Sequence, residues 1–99
     1  MKTSRIELAP EVGDDIERIL EHLARYDAED ANSHIQEIIQ AIAVLEQNPL
    51  IGRPIEDDKW ELVIGRRSRG YLALYRYVSA IDTVFVLAVR SQREAGYTR

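Results

Sequence analysis

The chain has 99 residues, of which 45% are hydrophobic and 30% charged, a composition that fits one globular domain (residues 1–99) and is too small for two cores. It contains no cysteine, which excludes disulfides, thiolate catalysis and cysteine-ligated zinc, and no metal-binding motif surrounds His22 or His34. No apolar run reaches the roughly eighteen residues that span a bilayer, and the N-terminus does not resemble a signal peptide. We therefore expect a cytoplasmic protein without cofactor or metal.

Charge is distributed unevenly along the chain, whose net charge is −4. Residues 1–50 carry four cationic side chains against eleven carboxylates. Residues 62–99 carry seven arginines against only Asp82 and Glu94. A positive region on an otherwise anionic protein predicts a specific anionic partner, because a surface without such a partner would mix the two signs.

The first half of the chain predicts a strand followed by a helical hairpin. Residues 4–9 alternate polar and apolar side chains, the period of a half-buried strand. Apolar residues then recur every three or four positions, which predicts one helix from Pro10 to about Tyr26 and a second from Ala31 onward. The second helix should end before Asn48, since a residue that precedes proline is pushed out of the helical region.

The second half of the chain changes to the period of strands. The almost wholly apolar run from Thr83 to Val89 suits a central strand covered on at least part of both faces. The predicted class is therefore α+β with the order β-α-α-β-β-β, an antiparallel sheet with a helical hairpin packed on one face. The predicted segments after the second helix are a linker at residues 48–55, strands at 61–65, 71–78 and 83–89, and turns at 66–70 and 79–82.

The candidate binding residues are basic or aromatic and lie in this second half. Arg66, Arg67 and Arg69 fall in the predicted turn at residues 66–70, and their guanidinium groups suit carboxylates or phosphates of a partner. The last strand leads into a polar, cationic segment with one tyrosine, the composition of a binding hot spot. We expect the residues after Ser91 to lie outside the core and Arg93-Glu94 to form an exposed ion pair. The residues predicted to bind a partner or target are Arg66, Arg67, Arg69, Arg90, Arg93 and Tyr97.

Several short motifs occur in a distinctive order. Asn48-Pro49 and Gly52-Arg53-Pro54 follow the second helix, Gly70-Tyr71 opens a strand containing Leu-Tyr-Arg-Tyr, and the chain ends in Val-x-x-x-Arg-Glu-x-x-Tyr. With the order of elements, these motifs resemble the RelE/ParE superfamily of toxins over nearly the whole chain. The resemblance implies a type II toxin–antitoxin pair, in which a cognate antitoxin wraps the toxin and neutralises it.

The superfamily divides by mechanism, so the fold does not determine the function. RelE-like members are ribosome-dependent endoribonucleases whose cations lie on the strand before the central turn, just after Gly-Tyr, and near the C-terminus together with a tyrosine. In this chain only Arg93 and Tyr97 match that set. The positions that should be basic hold Val63, Gly65 and Leu72. These side chains cannot stabilise a phosphorane or move a proton.

The resemblance therefore favours the ParE-like branch, whose members bind DNA gyrase and trap its cleaved DNA complex, although many relatives carry a histidine near Ser91. The protein would then arrest growth by protein binding, without chemistry of its own. It would contact nucleic acid only indirectly, through the gyrase–DNA complex or the ribosome. We expect no membrane partner. One alternative is a RelE-like mRNA endoribonuclease that uses Arg93 and Tyr97. A second alternative is a degenerate antitoxin-binding module without toxicity.

Overall fold

A computed structural model describes residues 3–26, 28–65, 70–94 and 96–97. Short 3-10 turns at Ala28–Asp30 and Ser79–Ile81 precede the second helix and the last strand. No helix in these residues is both long and apolar enough to cross a membrane. The described chain forms β1 (Arg5–Leu8), α1 (Pro10–Tyr26), α2 (Ala31–Val44), β2 (Arg53–Pro54), β3 (Trp60–Ile64), β4 (Tyr71–Val78) and β5 (Thr83–Ser91).

The five strands form one sheet in the order β1-β5-β4-β3-β2. The last three strands make the predicted antiparallel meander. Two details differ from the sequence-based prediction: β1 pairs with β5 in parallel, which makes the sheet mixed, and the linker contributes the short edge strand β2. Alternation in a sequence identifies a strand but not the direction of its neighbour, and the intervening helices give the chain the long connection that a parallel pair requires.

Both helices contribute to the core on one face of the sheet, so the predicted α+β class and layered arrangement are confirmed. Tyr71 and Tyr75 are buried in this core, and their hydroxyls bond to His34 Nδ1 (2.8 Å) and the Gly52 N–H (2.9 Å). Trp60 stacks on Tyr75 with ring centroids 6.4 Å apart, which makes it part of the core margin. The helices contribute to the buried cluster through Val12, Ile19, Leu23 and Ile38, and the loop after α2 through Leu45.

Candidate functional site

Two side chains of α1 bind β5 just past the end of β1. The Val89 N–H donates to Asp15 Oδ2 (2.9 Å), and Arg18 Nη2 donates to the Val89 carbonyl (3.2 Å). Arg18 Nη1 also donates to Asp15 Oδ1 (2.8 Å), and Asp15 is only 1% exposed. These bonds pair backbone groups of β5 where the β1 ladder has ended, and they fix α1 against the strand.

Glu94 connects the segment after β5 to both α1 and β5. Its carboxylate accepts from the Ser91 N–H (2.8 Å) and from Arg18, whose Nε and Nη2 donate at 2.7 Å and 3.1 Å. The Glu94 hydrogen bond raises the pKa of Arg18 despite the opposing effect of burial, and Asp15 adds to the rise. The expectation of an exposed Arg93–Glu94 pair was therefore wrong, because Glu94 pairs with a residue of α1 instead.

Tyr97 anchors the far end of the same segment to β3. Its hydroxyl donates to Glu61 Oε2 (2.8 Å), and the Arg90 guanidinium lies 5.1 Å from the centroid of its ring. Burial raises the pKa of the Tyr97 hydroxyl, and the Glu61 carboxylate raises it further, so the hydroxyl remains a proton donor. Tyr97 is partly buried by these polar contacts, although it does not belong to the hydrophobic core.

Glu61 is a buried carboxylate that accepts from both sides. It is 7% exposed, and Arg53 donates to its Oε1 through Nε (3.0 Å) and Nη2. Burial by itself would raise the pKa of Glu61, but the hydrogen bonds from Arg53 and Tyr97, with the charges of Arg53 and Arg90, hold that pKa below its ordinary value. A glutamate at the start of a strand pattern gave no signal of this role in the sequence.

Val63, Leu72 and Arg90 share the face of the sheet that carries Glu61. The register pairs Val63 with Leu72 and Leu72 with Arg90, and side chains of directly paired residues point to the same face. We call it the open face because it lies away from the helices, although Glu61 and Leu72 are themselves buried on it. The chain neighbours of these residues on the paired strands belong to the core of the helix-covered face: Leu62, Ala73 and Val89.

Arg93 lies on a separate feature, a groove between α1 and the end of β5 with a volume of about 280 Å³. The structure therefore does not bring Arg93 together with Tyr97, whose neighbours are Arg90 and Glu61. The turn arginines Arg66, Arg67 and Arg69 lie outside the described residues. The residues that line the groove are Arg18, Ile19, His22, Leu23, Tyr71, Ser91, Arg93 and Glu94.

Sequence reasoning missed the acidic partners that hold this site together. In the sequence Asp15 is one of several carboxylates near the start of α1, a pattern that by itself indicates only a favourable interaction with the helix dipole. Its burial was readable in principle, because it lies four residues before Ile19 and three after Val12, on the apolar side of the helix. Glu61 and Glu94 offered no comparable signal.

A family comparison identifies the class of protein that carries this arrangement. The model for the ParE toxin of the type II toxin–antitoxin system parDE matches residues 6–96. The chain belongs to this ParE toxin family. The ParE-family assignment confirms the predicted superfamily and the role as a toxin of a type II toxin–antitoxin system. No protein of curated function is detectably similar in sequence.

Solved structures share the fold of this ParE-family chain. The chromosomal ParDE toxin–antitoxin system from P. aeruginosa aligns with a TM-score of 0.76 at 21% identity, covering 89% of this chain and 95% of the other. The toxin–antitoxin complex RelBE2 from Mycobacterium tuberculosis aligns at 0.59 with 19% identity, over 95% and 97%. The archaeal RelE–RelB complex from Pyrococcus horikoshii OT3 aligns at 0.59 with 13% identity, over 94% and 99%. At these identities the similarity shows the fold alone.

Proposed function

We propose that this chain acts as a single-domain toxin that binds DNA gyrase and arrests growth, without chemistry of its own. A cognate antitoxin neutralises it by binding. The residues proposed to contact the partner or the target are the cationic and aromatic ones after residue 65: Arg66, Arg67, Arg69, Arg90, Arg93 and Tyr97.

The open face of the sheet carries this proposal. Cleavage of RNA by a ribonuclease toxin needs cations that stabilise a pentacoordinate phosphorane and a group that moves a proton. On this face Val63 and Leu72 take the positions of two such cations, and Glu61 contributes a negative charge beside them. That carboxylate already accepts hydrogen bonds from Arg53 and Tyr97, so it is not free to act as a base, and Val63 and Leu72 supply no cation to a phosphorane.

One observation favours the ribonuclease alternative, namely that Arg90 and Tyr97 lie against each other on this face. Their side chains are nevertheless engaged within the fold. The Tyr97 hydroxyl donates to Glu61, and Arg90 Nη1 donates to the carbonyls of Ser91 (3.2 Å) and Glu94 (2.7 Å). A hydroxyl whose pKa is raised is a poor general base, which weakens this alternative further.

The proposed antitoxin partner is supported by the charge distribution and by the family. The solved relatives include toxin–antitoxin complexes. The arginine-rich second half of this chain suits a partner segment rich in carboxylates, and disordered antitoxin tails would fold as they bind. Such a segment would pack as an amphipathic helix or strand on the sheet and the helical hairpin.

The test adds the purified protein to a DNA gyrase supercoiling reaction and looks for trapped, cleaved DNA. We expect inhibition that disappears when the protein is first mixed with the antitoxin encoded beside it. Primer extension on transcripts from induced cells is the parallel measurement, and we expect no new ends within translated codons.

Two outcomes contradict the proposal. New ends within codons that vanish in Tyr97→Phe, with gyrase unaffected, would assign the protein to the ribonuclease branch. Continued growth after induction of a folded protein, with antitoxin binding retained, would identify a degenerate module without toxicity. Circular dichroism of Tyr97→Phe is the control, because its hydroxyl also supports Glu61.

A further inference from the structure

The groove between α1 and the end of β5 has the size of a socket for side chains. Ile19, Leu23 and Tyr71 supply its apolar surface, and His22 and Arg93 supply exposed polar groups. Its volume of about 280 Å³ falls just below the range of about 300–1,000 Å³ that is typical of small-molecule pockets. A groove of this size can receive one or two side chains of a protein partner.

Arg93 gives this groove a positive charge that remains available. Arg18, on the opposite wall, is already bonded to the carboxylates of Asp15 and Glu94. The Arg93 side chain is exposed, and no carboxylate among the residues that the structure describes pairs with its guanidinium. An arginine free to form a bidentate pair at the edge of an apolar surface selects a carboxylate from its partner.

The backbone holds Arg93 in a fixed place before anything binds. Its N–H donates to Ser91 Oγ (3.2 Å), and the next residue, Glu94, is tied to α1 through Arg18. The residues on both sides of Arg93 are therefore anchored to regular elements. Ordering of the backbone on binding therefore costs little here, and the main entropic cost is that of the Arg93 side chain.

Exposed aromatic rings extend the same surface along α1. The rings of His22 and Tyr26 lie 4.8 Å apart, and Tyr26 is 74% exposed. A large exposed tyrosine beside a groove and a free arginine matches the composition of interface hot spots.

We propose that this groove receives one anchor of the antitoxin, an apolar side chain that packs on Ile19, Leu23 and Tyr71 beside a carboxylate that pairs with Arg93. The inference rests on the proposed function, because it specifies where and by what chemistry the partner of that toxin binds. A basic partner segment would be repelled by Arg93, so a segment that binds in this groove should be acidic.

The test measures binding of the cognate antitoxin by isothermal titration calorimetry. Arg93→Glu reverses the charge at the groove, and His22→Glu places a carboxylate there from a second position. The matched control is Arg25→Glu, which makes the same charge reversal at an exposed position of α1 that does not line the groove. All three positions are exposed, and circular dichroism checks that each variant folds.

We expect Arg93→Glu to weaken the complex by about tenfold or more, as removal of an interface hot-spot arginine does. His22→Glu should also weaken it, whereas Arg25→Glu should remain within about threefold of the parent because a surface charge outside the contact acts only at long range. If the parent binds tightly and the two groove variants bind like Arg25→Glu, the proposed antitoxin site in this groove is wrong, while the proposed toxin–antitoxin complex is still supported. If the folded parent does not bind the antitoxin, both the proposed complex and the proposed site in the groove are wrong.

Discussion

Glu61 organises the open face of the sheet through a single buried carboxylate. It accepts hydrogen bonds from Arg53 on β2 and from Tyr97 near the C-terminus, and the positive charge of Arg90 also lowers its pKa. Removing one partner from a buried charge usually costs more than the bond itself, because the remaining group stays desolvated. Glu61 therefore holds both the edge strand β2 and the terminal segment on β3.

The depressed pKa of Glu61 predicts how stability responds to pH in the parent and in Glu61→Gln. A carboxyl whose pKa is lower in the folded state stabilises the protein above its unfolded pKa of about 4.3, and that contribution is lost as pH falls through the folded pKa. At pH 7 we expect Glu61→Gln to lower the free energy of unfolding by about 1.5–3 kcal/mol, the range for hydrogen bonds to a charged group. The difference between the two proteins should shrink below about pH 4.

Urea unfolding at pH 7, 5, 4 and 3, followed by circular dichroism, measures this difference. Glu46→Gln is the control, because Glu46 is exposed and the substitution should change stability by no more than about 0.5 kcal/mol. A difference between parent and Glu61→Gln that stays constant from pH 7 to pH 3 would show that the charge of Glu61 does not stabilise the fold.

At the scale of elements, α1 completes the edge of β5 with side chains. Strand β1 ends at Leu8, opposite Val86, and the Ala9 N–H still donates to the Val86 carbonyl. Beyond that point Asp15 and Arg18 bind the Val89 backbone groups, and Glu94 accepts from the next outward N–H. The edge that a short β1 would leave open is thus satisfied at Val86, Val89 and Ser91, as buried backbone groups require.

Asp15→Ala tests this edge, because it leaves the buried Val89 N–H without its acceptor and takes one carboxylate from Arg18. We expect the free energy of unfolding to fall by about 2–4 kcal/mol, between the cost of an unsatisfied buried donor and that of a broken buried ion pair. Asp14→Ala, at an exposed position one residue away, should cost about 0.5 kcal/mol or less.

Thermal and urea unfolding compare the two variants. Hydrogen exchange of the Val89 amide adds a local measurement, since that N–H should lose protection in Asp15→Ala first. Equal stability of the Asp15 and Asp14 variants would mean that β1 and the core hold α1 in place without the carboxylate.

At the scale of the whole molecule, charge segregation separates an acidic first half from an arginine-rich second half. Residues 1–50 hold eleven carboxylates, while seven arginines follow residue 62. Several of the described arginines are internally paired, as Arg18 and Arg53 are with Glu94 and Glu61. Arg66, Arg67 and Arg69 lie outside the described residues, so their contribution to an antitoxin-binding surface remains a sequence-based prediction.

Replacing Arg66, Arg67 and Arg69 together with Ala tests that surface. We expect binding of the antitoxin to weaken by about 1–3 kcal/mol at low salt, if each exposed ion pair contributes up to about 1 kcal/mol. The affinity of the variant should also depend less steeply on salt than that of the parent, because fewer ion pairs remain to be screened.

Calorimetry at several salt concentrations measures both effects. The matched control replaces Arg5, Arg25 and Arg76, which the structure shows to be exposed, so that the net charge is the same. An unchanged affinity and salt slope in the turn variant would show that the turn does not face the antitoxin.

The sequence by itself determined the local elements and the family. Helix and strand periods gave α1 from Pro10 to Tyr26 and β4 from Tyr71 to Val78 correctly, because the alternation of buried and exposed side chains is a local property of each element. The Gly70-Tyr71 motif also has a physical basis, since a Cβ at Gly70 would collide with the Ile64 carbonyl and approach Gln92 Nε2 to 2.8 Å.

Only the tertiary structure decided how β1 pairs and what holds the C-terminal segment. The parallel pairing of β1 with β5 depends on the path of the chain through both helices, which no strand pattern records. The bonds from Asp15 to Val89 and from Tyr97 to Glu61 join residues 74 and 36 positions apart. Such polar contacts are selected by burial and geometry after the layers have packed. The sequence does not show which charged side chains will pair, so it could not reveal that the fold places Arg93 at the groove and Tyr97 beside Glu61.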